Sequence, residues 1–308
     1  MITTVTLNPA VDKTCRAARL LPGQVNRMES IKNIAGGKGI NVTRVLRQYD
    51  YPVRALGFLG GYTGKFIEES VREIGAESCF TYVAGDTRCS MNILSDDGYV
   101  TEVLEPGPII TREELDSFLR TYQKALSDSE LIILSGSVPV GVPETFYADL
   151  ITMAKEAGKN VLLDSSGVHF KEGVLARPFM IKPNIKELEM LIGKKLKDRE
   201  EIINTALRIT SYGISHIMIS MGAKGILYVS EKEVLFAKAP KIKAVNTVAC
   251  GDSVVAAFAM ALMVNEDKEA ALRRAVSISA ANATTLESAV IPKETAEELV
   301  GKIEIERY

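Results

Sequence analysis

Toward its carboxyl end the chain reads Asn246-Thr247-Val248-Ala249-Cys250-Gly251-Asp252-Ser253 and then turns apolar at Val254-Val255-Ala256-Ala257-Phe258. The pattern predicts a short strand running directly into a helix. The backbone N–H groups of Ala249, Cys250 and Gly251 would then gather at a helix N-terminus, with the Asp252 carboxylate beside them. Unpaired donors and the helix dipole stabilise an anion at such a place, and an anion site next to a base suits phosphoryl transfer. Asp and Ser before a helix also serve as plain N-caps, so the segment needs support from elsewhere. It has a counterpart in Ala35-Gly36-Gly37-Lys38-Gly39-Ile40-Asn41, which enters a second helix marked by Val42, Val45 and Leu46. Glycines there let backbone approach a ligand closely, and Lys38 and Asn41 supply a cation and an amide at the helix start. Two such loops, far apart in sequence, fit two ligands meeting at one site.

Other phosphate motifs do not fit. A P-loop would need glycine where Lys32 stands and Ser or Thr where Gly39 stands, and a dinucleotide fingerprint starting at Gly37 would need glycine at Val42. A nicotinamide oxidoreductase is disfavoured on the same ground.

Together with Thr6-Leu7-Asn8-Pro9-Ala10-Val11-Asp12, Ser135-Gly136-Ser137-Val138-Pro139 and Lys182-Pro183-Asn184-Ile185-Lys186-Glu187, the two loops resemble the ribokinase-type (PfkB) carbohydrate kinases. Within that family the likeness is to the branch holding 1-phosphofructokinase and tagatose-6-phosphate kinase. It runs over essentially the whole chain, in order. It implies a ribokinase-like three-layer α/β/α fold, one domain over residues 1–308, with a mostly parallel central sheet and a small β-lid at about 11–34 and 88–106. It also implies ATP and Mg²⁺ as cofactors and a homodimer formed through the lid.

The resemblance assigns roles residue by residue. Asp252 would be the base, with the anion hole at Ala249, Cys250 and Gly251. Asp12 would hold sugar hydroxyls, and Gly36, Gly37 and Asn41 would make backbone and amide contacts to the sugar. Ser137 would add a hydrogen bond. Lys38 and Arg88 would read a substrate phosphate, Arg88 with a bidentate fork, and Arg27 is a weaker second candidate. On the nucleotide side stand Lys182 and Asn184, with Ser220, Gly222 and Gly225 in the turn after a strand, and Asn282 near the adenine. Glu187 would act on Mg²⁺ through water, since that ion keeps several waters and takes few carboxylates. The chain departs from its relatives at Ala249, where they carry glycine. If that position needs φ > 0, alanine costs roughly 1 kcal/mol or more. Cys250, at a helix start, is expected to have thiolate character.

The leading reading is ATP-dependent phosphorylation of fructose 1-phosphate to fructose 1,6-bisphosphate; the alternatives are the same chemistry on tagatose 6-phosphate and a nucleotide- and sugar-phosphate-binding protein with weakened turnover. Lys38 with Arg88 argues for a substrate that already carries phosphate.

The elements that must position these residues follow from pattern. With 308 residues, 46% of them hydrophobic and 25% charged, the composition is that of an ordinary α/β globular chain with a sizeable core. A net charge of −2, no basic block and no Trp give no support to nucleic-acid or membrane partners. The four cysteines form no C-x-x-C pair and there are two histidines, which argues against zinc and for reduced thiols in the cytoplasm. From Glu113 onward, helical spacing (Leu115, Phe118, Leu119, Tyr122, Leu126) alternates with buried-strand runs such as Leu131-Ile132-Ile133-Leu134, as in a parallel sheet covered on both faces. Residues 11–34 and 88–106 break this alternation with β-prone, turn-rich sequence, including a hairpin turn at Asp96-Asp97-Gly98.

Overall fold

Strands at the centre of this molecule are apolar on both sides because both sides are covered. Leu131 and Ile133 point into one hydrophobic core, and Ile132 and Leu134 into the other, the two-residue alternation of a strand buried on both faces. The computed structural model describes residues 1–308. In spatial order its main sheet runs Ile305–Arg307, Val234–Lys238, Gly225–Val229, His216–Ser220, Met180–Ile181, Asn160–Asp164, Leu131–Ser135, Ile2–Thr6, Val53–Leu59 and Glu77–Ser78, with Thr81–Tyr82 also pairing to Val53–Leu59. Pairing is parallel from the Glu77–Ser78 edge to His216–Ser220 and antiparallel beyond. Helices cover both faces, giving three layers of mixed α/β architecture.

A separate four-stranded sheet orders Ser30–Gly36, Ala10–Ala17, Arg88–Ser95 and Val100–Leu104, built from the two stretches that break the helix–strand alternation. Asp96-Asp97-Gly98 closes its hairpin, with Gly98 at φ 87° and its N–H donating to Ser95 O at 2.9 Å.

One element differs from expectation. No strand precedes Asp252: residues 239–249 form an irregular loop, and the helix begins at Cys250 (Cys250–Met263), placing Asp252 inside its first turn. The alternation at Lys241-Ile242-Lys243-Ala244 finds no strand to pair with, because Val234–Lys238 is already flanked by Gly225–Val229 and Ile305–Arg307. The loop is tied instead to the end of the Lys268–Ala283 helix, with Val245 N and Asn246 N donating to Ala283 O at 2.7 and 3.2 Å.

Candidate active site

Parallel strands deliver their C-terminal ends to one rim, where ligands bind in open α/β sheets. Asn8, Ser137, Asp164, Lys182 and Ser220 all lie at or just beyond such ends, and all line a polar cleft of about 480 Å³. The same cleft collects Asp12, Gly37, Lys38, Asn41, Arg88, Asn184, Glu187, Ala249, Gly251 and Asp252. Beside it lies a cavity of about 820 Å³, lined by Gly222, Gly225 and Cys250 among others; ten of its nineteen wall residues are hydrophobic, which suits a flat aromatic group. Asn184, Ser220 and Gly251 belong to both walls, so the two spaces meet at the anion loop.

Asp252 sits at that junction, 5% exposed, its Oδ2 accepting from Asn41 Nδ2 at 2.8 Å. Burial, with the nearby Asp164 charge, pushes its pKa from 3.8 to about 6, against the pull of Lys38, Asn41 and Lys182. A carboxylate tuned in this way suits a base working near neutrality.

Asp164 is a residue the sequence reading passed over. It is 1% exposed; Lys38 Nζ donates to its Oδ1 at 3.0 Å, and Lys182 Nζ stands 3.3 Å from Oδ2 as an ion pair without hydrogen-bond alignment. Burial opposes its charge, but Lys182 and Lys38 hold its pKa below the ordinary value. Burial likewise opposes the Lys38 charge, and Asp164 and Asp252 more than offset it, raising the Lys38 pKa. Lys38 therefore faces the cleft as a fixed cation, with Lys182 beside it on the same carboxylate. A Cβ built on Gly251 would lie 3.2 Å from Lys182 Nζ, which puts that ammonium against the anion loop.

Within the loop, Ala249 takes the left-handed conformation (φ 64°, ψ 4°) that glycine would adopt freely. The strain of roughly 1–2 kcal/mol is partly offset by burying its methyl group. The N–H groups of Ala249, Gly251 and Asp252 have no acceptor in the protein, whereas Cys250 N–H turns back to Thr247 O at 3.3 Å. The free donors are thus 249, 251 and 252, a correction to the expected set. Cys250 is a second correction. Its Sγ donates to Ser279 O at 3.4 Å and burial pushes the thiol pKa up, so helix-start stabilisation of a thiolate is outweighed. Asn282 is a third: it lines neither space. Buried at 1% exposure, it donates from Nδ2 to Val248 O at 2.8 Å and accepts at Oδ1 from Ala289 N at 2.8 Å, bracing the loop from behind.

On the opposite wall, burial lifts Asp12 to about 6 despite Arg88 and Arg44. Gly36 lies beneath it rather than in the cleft: a Cβ there would come 1.9 Å from Asp12 Oδ2. Gly37 (φ 106°) starts the Lys38–Gln48 helix where a Cβ would meet Thr6 Cγ2 at 2.9 Å and Pro9 Cα at 3.1 Å. Arg88 donates from Nε to Asn8 O and from Nη1 to Glu105 O, each at 3.3 Å, leaving Nη2 without an acceptor. Ser137 is exposed, with Asn8 Nδ2 at 3.4 Å. Arg27 lies exposed in the 18–29 connection and does not reach the cleft.

Asn184 and Glu187 form a reciprocal capping box at the start of Ile185–Ile192, Glu187 N to Asn184 Oδ1 at 2.9 Å and Asn184 N to Glu187 Oε2 at 2.8 Å. Both still border the cleft, with Glu187 Oε1 uncommitted. No cluster of three or more potential metal ligands exists. A lone carboxylate beside polar oxygens fits a cation that keeps most of its waters and binds chiefly through phosphate oxygens. No helix is long and apolar enough to cross a membrane.

Comparison with known proteins identifies the family. The model of the pfkB family of carbohydrate kinases matches residues 4–295. The chain is 34% identical over 307 residues to a 1-phosphofructokinase of Bacillus subtilis, covering 100% of both. It is 35% identical over 308 residues to a tagatose-6-phosphate kinase of Staphylococcus epidermidis, covering 99% of both. The phosphofructokinase-2 of Escherichia coli shares the fold, with a TM-score of 0.91 at 22% identity over 98% of each chain. With the family model spanning nearly its whole length and two relatives above 30% identity aligned end to end, the chain belongs to the pfkB family of carbohydrate kinases.

Proposed function

We propose that the protein is an ATP-dependent kinase acting on a ketohexose phosphate, with fructose 1-phosphate converted to fructose 1,6-bisphosphate as the preferred reaction. The observation that carries this reading is the junction itself: a buried carboxylate with a raised pKa, where a polar, cation-lined cleft meets an apolar cavity beneath free N–H groups. Phosphoryl transfer asks for an oriented hydroxyl, a base, charge neutralisation and exclusion of water. The sugar lies in the cleft, its hydroxyls on Asp12 and Asn41 and its phosphate between Lys38 and Arg88. The nucleoside fills the apolar cavity by Gly222 and Gly225, with its phosphates over Ser220, Asn184 and Lys182. Asp252 takes the proton of the attacking hydroxyl. The N–H groups of Ala249, Gly251 and Asp252 stabilise the migrating charge in a water-poor site. Glu187, through water, and Asn184 would hold Mg²⁺, which when bound supplies further neutralisation of the triphosphate.

Tagatose 6-phosphate, phosphorylated to tagatose 1,6-bisphosphate, is the alternative, supported by a relative of that name at the same level of identity. We read the four-stranded sheet as a lid on one domain of residues 1–308. Exposed Ile31, Val100, Val103 and Leu104 on this lid support a homodimer formed through it, and the enzyme is read as cytoplasmic. Measuring ADP release over fructose 1-phosphate, fructose 6-phosphate, tagatose 6-phosphate and the plain sugars tests the reading. Turnover confined to plain sugars would overturn it.

Two further outcomes are expected. Asp12 and Asp252 both titrate near pH 6 and both act as carboxylates, so kcat/KM should fall below about pH 6 with more than one proton taken up. The substrate phosphate titrates in the same range, but it is common to wild type and Asp12→Asn. The variant's acid limb should therefore be shallower by one proton, and an unchanged slope would remove Asp12 from the limb. Separately, Gly36→Ala should leave the melting temperature nearly unchanged, because its methyl displaces only the end of a side chain. The shifted Asp12 carboxylate should cost about 10- to 100-fold in kcat/KM for the sugar phosphate, with KM for ATP unaltered. Wild-type kinetics would show that Asp12 does not position the sugar.

A further inference from the structure

Arg44 lines neither ligand space, yet its guanidinium joins three parts of the site. Its Nη1 donates to Asn41 Oδ1 and to Ser288 O, each at 3.3 Å, and Nη2 donates to Ala35 O in the strand that ends at Gly36. Engaging Asn41 through its oxygen leaves the amide nitrogen aimed at Asp252 Oδ2. One turn on, Gln48 donates to Ala289 O at 2.7 Å and accepts from Ile291 N at 2.9 Å, so the same helix face grips the 288–291 segment. That segment reaches the anion loop through Asn282, which binds Ala289 N and Val248 O. The path Ala35, Arg44, Ser288, Ala289, Asn282, Val248 is unbroken.

We propose that Arg44 is a positioning residue that fixes the Asn41 amide with its donor toward Asp252 and, through segment 288–291, keeps the anion loop in register with the strand bearing Gly36. The proposal rests on the kinase reading. Without the fork, the Asn41 amide is free to turn its oxygen toward the Asp252 carboxylate, which favours the protonated acid. The charged groups facing Asp252 are Asp164, Lys38 and Lys182, and none is altered by changing Arg44. Lysine at position 44 keeps the positive charge near Asp12 but has its donors on a single nitrogen, which cannot span acceptors that the guanidinium reaches from two.

The test compares Arg44→Lys, Arg44→Met, Asn41→Ala and the Arg44→Lys/Asn41→Ala pair in the full chain, with Mg·ATP and whichever of fructose 1-phosphate and tagatose 6-phosphate the wild type turns over. Arg44→Lys is expected to move the acid limb of kcat/KM up by about one pH unit, the size of one lost hydrogen bond to a charged carboxylate. It should lower kcat by about 10- to 100-fold, as for a displaced reacting group. Asn41→Ala should move the limb similarly, and the pair should move it no further. Should Arg44→Met fail to fold, Arg44→Lys carries the measurement. A lower kcat or melting temperature with the limb unmoved, or fully additive shifts in the pair, would overturn the positioning role while leaving the kinase reading intact. A wild type inactive on both sugar phosphates would instead overturn the kinase reading, and the role of Arg44 with it.

Discussion

Asp252→Asn is expected to lower kcat by on the order of 10² to 10⁴, the usual worth of a positioned base, while making the folded protein more stable at neutral pH. The first effect follows from geometry. Asparagine fills the same space and can still accept from the Asn41 amide, but it cannot take a proton from a hydroxyl. The second follows from linkage. The folded-state pKa of Asp252 is raised from 3.8 to about 6, so the folded protein binds more protons than the unfolded chain between those values. The wild type thus loses stability as pH rises through that window. The variant escapes the loss: its advantage should be absent below about pH 4 and complete above about pH 6. Thermal unfolding of both proteins at pH 4 and pH 7, alongside kcat, measures this. A residue that costs stability and is indispensable for turnover is held for function. Wild-type-like turnover in a folded variant would remove Asp252 from the mechanism.

The parts of the site legible in sequence were those whose chemistry is local. Gly37-Lys38 and Gly251-Asp252 announce themselves because glycine, a charge and a helix start lie within a few residues, and the structure brings both pairs to one cleft. The helical stripes and the Leu131–Leu134 run were equally readable, since burial on both faces imposes a simple period. Contacts made across long sequence separation were not. Asp164 ends a strand as many polar residues do, and its meaning appears only when Lys38 and Lys182 converge on it from different elements. Arg44 looks like an ordinary charge on a helix until Ala35, Asn41 and Ser288 are seen around it.

Burial accounts for the remaining differences. At Cys250 the local rule, a helix start lowering a thiol pKa, meets the desolvation of a wall residue, and desolvation wins. For Asn282 the expectation of a ligand contact fails because every polar atom of its side chain is engaged inside the protein. The strand expected before Asn246 fails because Val234–Lys238, the strand just before it in the chain, is already paired on both sides. In each case the residue types were informative about what the segment could do, and the competing partner was invisible in sequence.

Arg88→Ala is expected to weaken sugar-phosphate binding by about 2–5 kcal/mol, the cost of truncating one partner of a desolvated charged pair, with ATP affinity nearly unchanged. Arg88 borders the cleft with Nη2 free, while Nε and Nη1 are anchored on Asn8 O and Glu105 O. Those anchors hold the guanidinium plane in place before ligand arrives, so little side-chain entropy remains to be lost on binding. They also give the residue a structural task, joining the Asn8 turn to the end of the Val100–Leu104 strand. Arg88→Lys separates the two functions, because lysine keeps the charge and loses the fork. Lysine should recover part of the phosphate affinity, and the remaining deficit reports the fork. Removing the cation should also raise the Asp12 pKa further, since Arg88 is the strongest influence lowering it, so the acid limb of Arg88→Ala should move upward while that of Arg88→Lys stays in place. Affinities for fructose 1-phosphate, tagatose 6-phosphate and plain fructose, measured by calorimetry across the three proteins, decide the matter. If plain fructose loses as much affinity as the phosphates do, Arg88 does not read the phosphate and acts only through the walls of the cleft.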